Sequence, residues 1–238
     1  MKKEKIEKLS TIDLAIDATL ALGHRYGIDQ DQRPVVVIED DSCKYALDLM
    51  GPDYQQLIAR EYRSQFGKII RTPDIKLVQE QLAAEATFSG EYIEVSRRFA
   101  VRRDTNQLFI DIYDEAGTVL RVHDGKVNIT ALKQATPNFI ANSRMRALPI
   151  YMAGKGNWQL IRKYVNLASA EMYPLLMAQM GQMIVRLGPY VMACFVGQAG
   201  SGKSEAARFL SWFIDPSDCP LQSFTGNEKD IAISALSK

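Results

Sequence analysis

Between Phe195 and Leu210 the chain reads FVGQAGSGKSEAARFL, and no other stretch narrows the possible fold so much. Gly197, Gly202, Lys203 and Ser204 complete a G-x-x-x-x-G-K-[ST] pattern, the signature of a loop that carries phosphates between a strand and a helix. The pattern has a physical reason at each position. Glycine admits backbone conformations that a side chain forbids, so successive N–H groups can turn inward around an anion. The N-terminus of the following helix adds partial positive charge. Lys203 is placed to reach the β- and γ-phosphate oxygens, and the Ser204 hydroxyl to hold Mg²⁺. The stretch Gly197, Gln198, Ala199, Gly200, Ser201, Gly202, Lys203, Ser204 and Glu205 is therefore the expected nucleotide-binding set. Lys203 is its candidate catalytic residue and Ser204 its candidate metal ligand. A chance match in a chain of this length occurs at roughly the one-in-a-hundred level.

The rest of the chain supplies context. Its 238 residues are 47% hydrophobic and 24% charged, the balance of a globular protein of one or two domains. A net charge of +1 advertises no bulk attraction to nucleic acid or membrane. Cys43, Cys194 and Cys219 are far apart and form neither a disulfide framework nor a metal-ligand spacing. With His24 and His123 as the only histidines, a histidine-rich metal site has little support. No apolar stretch follows the charged start MKKEKIEKLS, so it does not read as a signal peptide. The longest apolar run, Tyr173 to Val196, is broken by Gln179, Gln182, Arg186 and Gly188-Pro189 and is too polar to span a bilayer. The expected compartment is the cytoplasm, with no membrane partner.

Periodicity predicts a helix over Thr11 to Tyr26, a buried strand PVVVIE, and helices over Tyr54 to Phe66 and Ile75 to Ala86. From Tyr92 to Ile129, short alternating runs separated by DTN, DEAG and DG predict an antiparallel meander of three or four strands. Helical patterns follow over Trp158 to Tyr164 and Ala170 to Arg186, then a strand YVMACFV before the loop. The fold class is α/β: an N-terminal α+β region with a meander over residues 1–148, then helices and the start of a P-loop NTPase sheet domain over 149–238. The boundary is placed in the loop-like SRMRALPIYMAGKGN.

A magnesium-holding acidic strand is harder to place. VVVIEDD (Val35 to Asp41) and LFIDIYDE (Leu108 to Glu115) imitate one, but both precede the loop and read as strand-end carboxylates facing solvent. Glu228 and Asp230 read as dipole-favoured acids in a helix capped by Asn227. Arg97, Arg98, Arg102 and Arg103 lie on a predicted strand. They read first as a solvated face and, alternatively, as a DNA-phosphate contact. Met177, Met180 and Met183 read as core filler.

SGKSEAARFLSWFIDPSDCPLQSFTGNEKDIAISA resembles the loop-to-helix segment of ATP-binding proteins from prophages, integrated elements and plasmids, relatives of the superfamily 3 and phage primase-associated helicases. LAAEATFSGEYIEVSRRFAVRRDTNQLFIDIYD and SRMRALPIY look like the upstream region of that family. The resemblance runs from about Tyr54 onward. It implies ATP and Mg²⁺ binding, a role in mobile-element DNA metabolism, ATP hydrolysis by the whole protein, and ring-shaped homo-oligomers. In that family the acidic Walker B strand comes shortly after a helix like the one at Leu236-Ser237-Lys238, so the chain reads as the N-terminal part of an ATPase. A nucleotide-binding module without catalysis and a small-molecule kinase are the alternatives. The long segment upstream of the loop argues against the kinase.

Overall fold

The structure, a computed structural model, describes residues 10–40, 44–134, 137–149, 154–185, 191–218 and 221. The chain mixes helices with sheets and divides into two compact units, Met1–Ser143 and Arg144–Lys238. No helix among the described residues is long and apolar enough to cross a membrane.

The first unit opens with α1 (Thr11–Leu20). Its start is fixed by a capping box: the Ser10 hydroxyl accepts the Asp13 N–H, and the Asp13 carboxylate accepts the Ser10 N–H, both at 3.1 Å. The helix is shorter than its sequence pattern suggests. Gly23 turns the chain at φ +69°, and Arg25–Ile28 becomes strand β1. Strand β1 is held on one edge by β2 (Pro34–Glu39) and on the other by Glu91 and Ile93 through two 2.8 Å backbone bonds at Ile28. Gly27 is required there, because a Cβ would stand 2.4 Å from the Glu91 carbonyl oxygen.

Strands β1, β2 and β3 (Lys44–Asp48) form an antiparallel sheet with β2 in the middle. One face, carrying Val36, Ile38 and Leu47, packs with α1, α2 (Pro52–Phe66) and α3 (Thr72–Ser89) around Tyr54, Ile58, Val78 and Leu82. The other face, carrying Val35, Val37 and Ala46, packs with Ile93 and Val95. Burial on both faces explains why β2 is continuously apolar rather than alternating. Both later helices start with proline in the first turn and end at a left-handed glycine, Gly67 and Gly90.

The run after α3 divides. Strand β4 (Val95–Ser96) pairs in parallel with β9 (Asn138–Phe139), while β5 (Phe99–Arg102), β6 (Gln107–Asp111), β7 (Thr118–His123) and β8 (Lys126–Ala131) make the expected antiparallel meander. Asp124 and Gly125, both at positive φ, join β7 to β8 in a two-residue hairpin turn. Ala100, Phe109, Val119 and Phe139 form the core beside this sheet.

In the second unit Arg144–Arg146 lies antiparallel to Pro216–Asp218. Backbone bonds join the two segments, and Arg146 holds Asp218 through two contacts of 2.6 Å. The expected helix at Trp158 is a 3-10 turn, Trp158–Lys163. Helices α4 (Met172–Val185) and α5 (Lys203–Ile214) share a core of Ile161, Val165, Tyr173, Leu176, Met180, Ala206 and Leu210. Of the three methionines, Met180 is buried in this core, Met177 packs against it and Met183 lies at the surface, 38% exposed. Three-residue spacing drifts around a helix of 3.6 residues per turn.

The expected strand before the loop does not form. Residues 191–196 carry no strand pairing, and Val191, Met192 and Val196 are 62%, 89% and 90% exposed. A strand exists only by pairing, and the Val191 backbone is bonded to α4 side chains instead. Its carbonyl accepts from Gln179 at 2.8 Å and its N–H donates to Gln182 at 3.5 Å. Tyr190 and the expected helix around Asn227, Glu228 and Asp230 lie outside the described residues, as do Asp41, Cys43 and Cys219.

Candidate functional site

The loop and helix α5 bring the motif residues together. Phe195 packs against the second unit's core before the loop, and Ala206 and Leu210 anchor the helix after it, so both ends of the loop are fixed. Gly200 and Gly202 each have φ +79°, the left-handed region, and Gly202 caps α5 in that conformation. A Cβ on Gly197 would fall 2.8 Å from the Ser201 hydroxyl oxygen. Gly200 and Gly202 are therefore needed for the backbone of the loop, whereas at Gly197 a Cβ would displace the Ser201 hydroxyl.

Lys203 reaches back across this loop. Its Nζ donates to the Gly197 carbonyl at 2.9 Å, to the Gln198 carbonyl at 2.6 Å and to the Ser201 hydroxyl at 3.3 Å. Helix α5 makes its first internal bond from Ala206 N–H to the Gly202 carbonyl at 2.9 Å. The amides of Lys203, Ser204 and Glu205 have no acceptor among the described residues, as expected of a helix's first turn. Ser204 is exposed in that turn. Glu205 is exposed too and pairs with Arg208 one turn on. Gln198, Ala199 and Ser201 are exposed members of the loop. No group of three or more metal-ligating side chains occurs among the described residues, so Ser204 stands without clustered carboxylates.

The other candidates fall elsewhere, and two need correction. VVVIEDD is the central strand β2 with Glu39 and Asp40 at its exposed end. LFIDIYDE is β6 and its turn, but Asp111 does not face solvent: it is 3% exposed. One of its carboxyl oxygens accepts the Tyr113 N–H at 2.9 Å. Burial pushes the Asp111 carboxyl up to about 6 against the pull of that N–H and of Arg98, and Asp114 adds to the rise.

The four arginines do not share a face. Arg98 is 2% exposed and donates to the Asp111 and Ile112 carbonyls at 3.2 and 3.3 Å. Its guanidinium also lies over the Tyr113 ring, 5.9 Å from the centroid. Arg97 and Arg102 are half-buried, and only Arg103 is exposed. A four-arginine contact to DNA and a fully solvated face are both ruled out by the position of Arg98. The expectation of a solvated strand face put all four arginines outside. In the structure Arg98 and Ala100 point inward instead, and alternation alone does not say which set is inside.

No protein-family model, curated protein or solved structure matches the chain.

Proposed function

We propose that the second unit binds a nucleoside triphosphate, ATP, with Mg²⁺ through the loop Gly197–Glu205. The reading includes the P-loop NTPase class and, from the family resemblance, a helicase-like role in the DNA metabolism of mobile elements within the cytoplasm. The observation that supports it is the three-point hold of Lys203 Nζ on the loop. That hold keeps an ammonium beside the N-terminus of α5, whose first amides have no acceptor among the described residues, and a phosphate chain needs both. The glycines fit this use, since Gly200 and Gly202 hold left-handed conformations that a side chain would strain. The group itself supplies the phosphoanhydride bond. The chain's residues supply its hold: loop amides and Lys203 around the phosphates, and the Ser204 hydroxyl toward the metal.

Calorimetric titration of the full chain with ATP and Mg²⁺ is expected to give saturable binding. Lys203→Ala should weaken it by roughly 1.5–3 kcal/mol, the worth of a charge-assisted hydrogen bond. Equal affinity of the two proteins would remove the assignment.

A further inference from the structure

The first unit contains a cleft of about 680 Å³, within the range of small-molecule sites. It is formed by α2, the end of β3, the β6–β7 turn and the chain after β9. Its wall is largely apolar, with Leu47, Leu57, Leu132 and Phe139 among the lining residues and Tyr45 beside them. Its charges are unbalanced. Asp53, Asp111, Asp114 and Glu115 line it, against Arg60 as the one cation among its described lining residues, and Arg60 is exposed.

Two of these carboxylates have backbone partners: Asp53 accepts from Ser143 N–H at 3.3 Å, and Asp114 from Thr118 N–H at 2.7 Å. Asp111 is different because it is almost wholly buried. One of its oxygens accepts the Tyr113 N–H, and the other has no hydrogen-bond partner among the described residues. A buried carboxylate that is only half bonded is costly unless a positive group completes it. The Arg98 guanidinium donates to the Asp111 and Ile112 backbone carbonyls, and its charge pulls the Asp111 carboxyl down without offsetting the effect of burial.

We infer that this cleft binds a small organic cation, an aromatic or aliphatic body with one ammonium group, its apolar part against Leu57 and Phe139 and its charge at Asp111. The volume suits a molecule rather than a metal ion. The apolar wall suits a carbon body, and the excess of carboxylates sets the sign of its charge. This site is separate from the loop of the second unit and does not depend on the nucleotide reading.

The test is calorimetric titration of the full chain with three probes of nearly one shape: phenethylammonium, neutral 2-phenylethanol and anionic phenylacetate. Fragments of this size bind at about millimolar, so titration to about 20 mM covers the range. Phenethylammonium should bind saturably, 2-phenylethanol about tenfold more weakly, and phenylacetate not at all. Asp111→Asn should lower the affinity for phenethylammonium about tenfold and leave that for 2-phenylethanol unchanged, which also reports that the variant is folded. Glu115→Lys, at an exposed position, should weaken the ammonium alone and serves if Asp111→Asn does not fold. Equal binding of the ammonium and the alcohol, no saturable ammonium binding, or an unchanged ammonium affinity in both variants would overturn the inference.

Discussion

Arg98 and Lys203 make the same kind of bond in opposite surroundings. Each aims a cationic nitrogen at two backbone carbonyls, Arg98 at Asp111 and Ile112, Lys203 at Gly197 and Gln198. Arg98 is 2% exposed, so neither it nor its carbonyls has water to turn to if the bonds break. Lys203 is only half-buried and its carbonyls belong to an exposed loop, so water or an arriving anion replaces each bond at little cost. One contact locks a turn in place, and the other can be exchanged. The hydrogen-bond pattern alone does not separate them; burial does.

The largest test of that contrast is Arg98→Met. Removing the guanidinium strands two carbonyls and leaves Asp111 without its nearby cation, so unfolding in urea should show a loss of about 3–5 kcal/mol. A loss below about 1 kcal/mol would mean that burial does not make this contact a lock.

Asp111→Asn tests the same region with the opposite sign. The Asp111 carboxyl is raised from 3.8 to about 6, with burial as the first cause, the Tyr113 N–H and Arg98 opposing and Asp114 adding. A raised acid binds its proton more tightly in the folded state, so the fold loses stability as pH rises from about 4 to about 7. At neutral pH the cost reaches about 3 kcal/mol. Asparagine keeps the acceptor for Tyr113 N–H and removes the charge. The variant should therefore be up to about 3 kcal/mol more stable than the wild type at pH 8 and equal to it near pH 4, measured by urea unfolding at both values. A gain independent of pH would detach it from ionisation.

Lys203→Ala is the smallest expected effect on stability. Its bonds are exposed, so the free energy of unfolding in urea should change by less than about 1 kcal/mol. A loss comparable to that of Arg98→Met would erase the contrast and make Lys203 a structural residue.

What the sequence shows depends on whether the cause is local. Helix α2 was legible at its end because Gly67 closes it, and α3 at its start because Thr72-Pro73 opens it, while the roles of Pro52 and Gly90 emerge only in the structure. The β7–β8 hairpin was legible because Asp124-Gly125 can adopt two successive positive φ angles. The loop was legible for the same reason, since its glycines and lysine act within a few residues of one another. Strand β1 was missed: it is four residues long, shows no alternation, and depends on Glu91 and Ile93 far along the chain. PVVVIE and YVMACFV read alike, yet among the described residues only the first has neighbours on both edges and both faces. The burial of Arg98 and Asp111 was hidden too, because a charged residue carries no local mark of the partners that will enclose it.

The parallel pair β4–β9 has one more consequence. The chain enters the meander just after Val95–Ser96 and leaves it just before Asn138–Phe139, side by side. Everything from Arg97 to Pro137 is thus an excursion whose two ends already meet, the arrangement in which segments are inserted, trimmed or exchanged without disturbing their host. The three-stranded sheet and its helices keep their own interior through such a change. The cleft does not, because Leu57 and Asp53 belong to the host while Asp111 and Asp114 belong to the excursion. Lineages that swapped this cassette would retain the scaffold and change what the cleft selects.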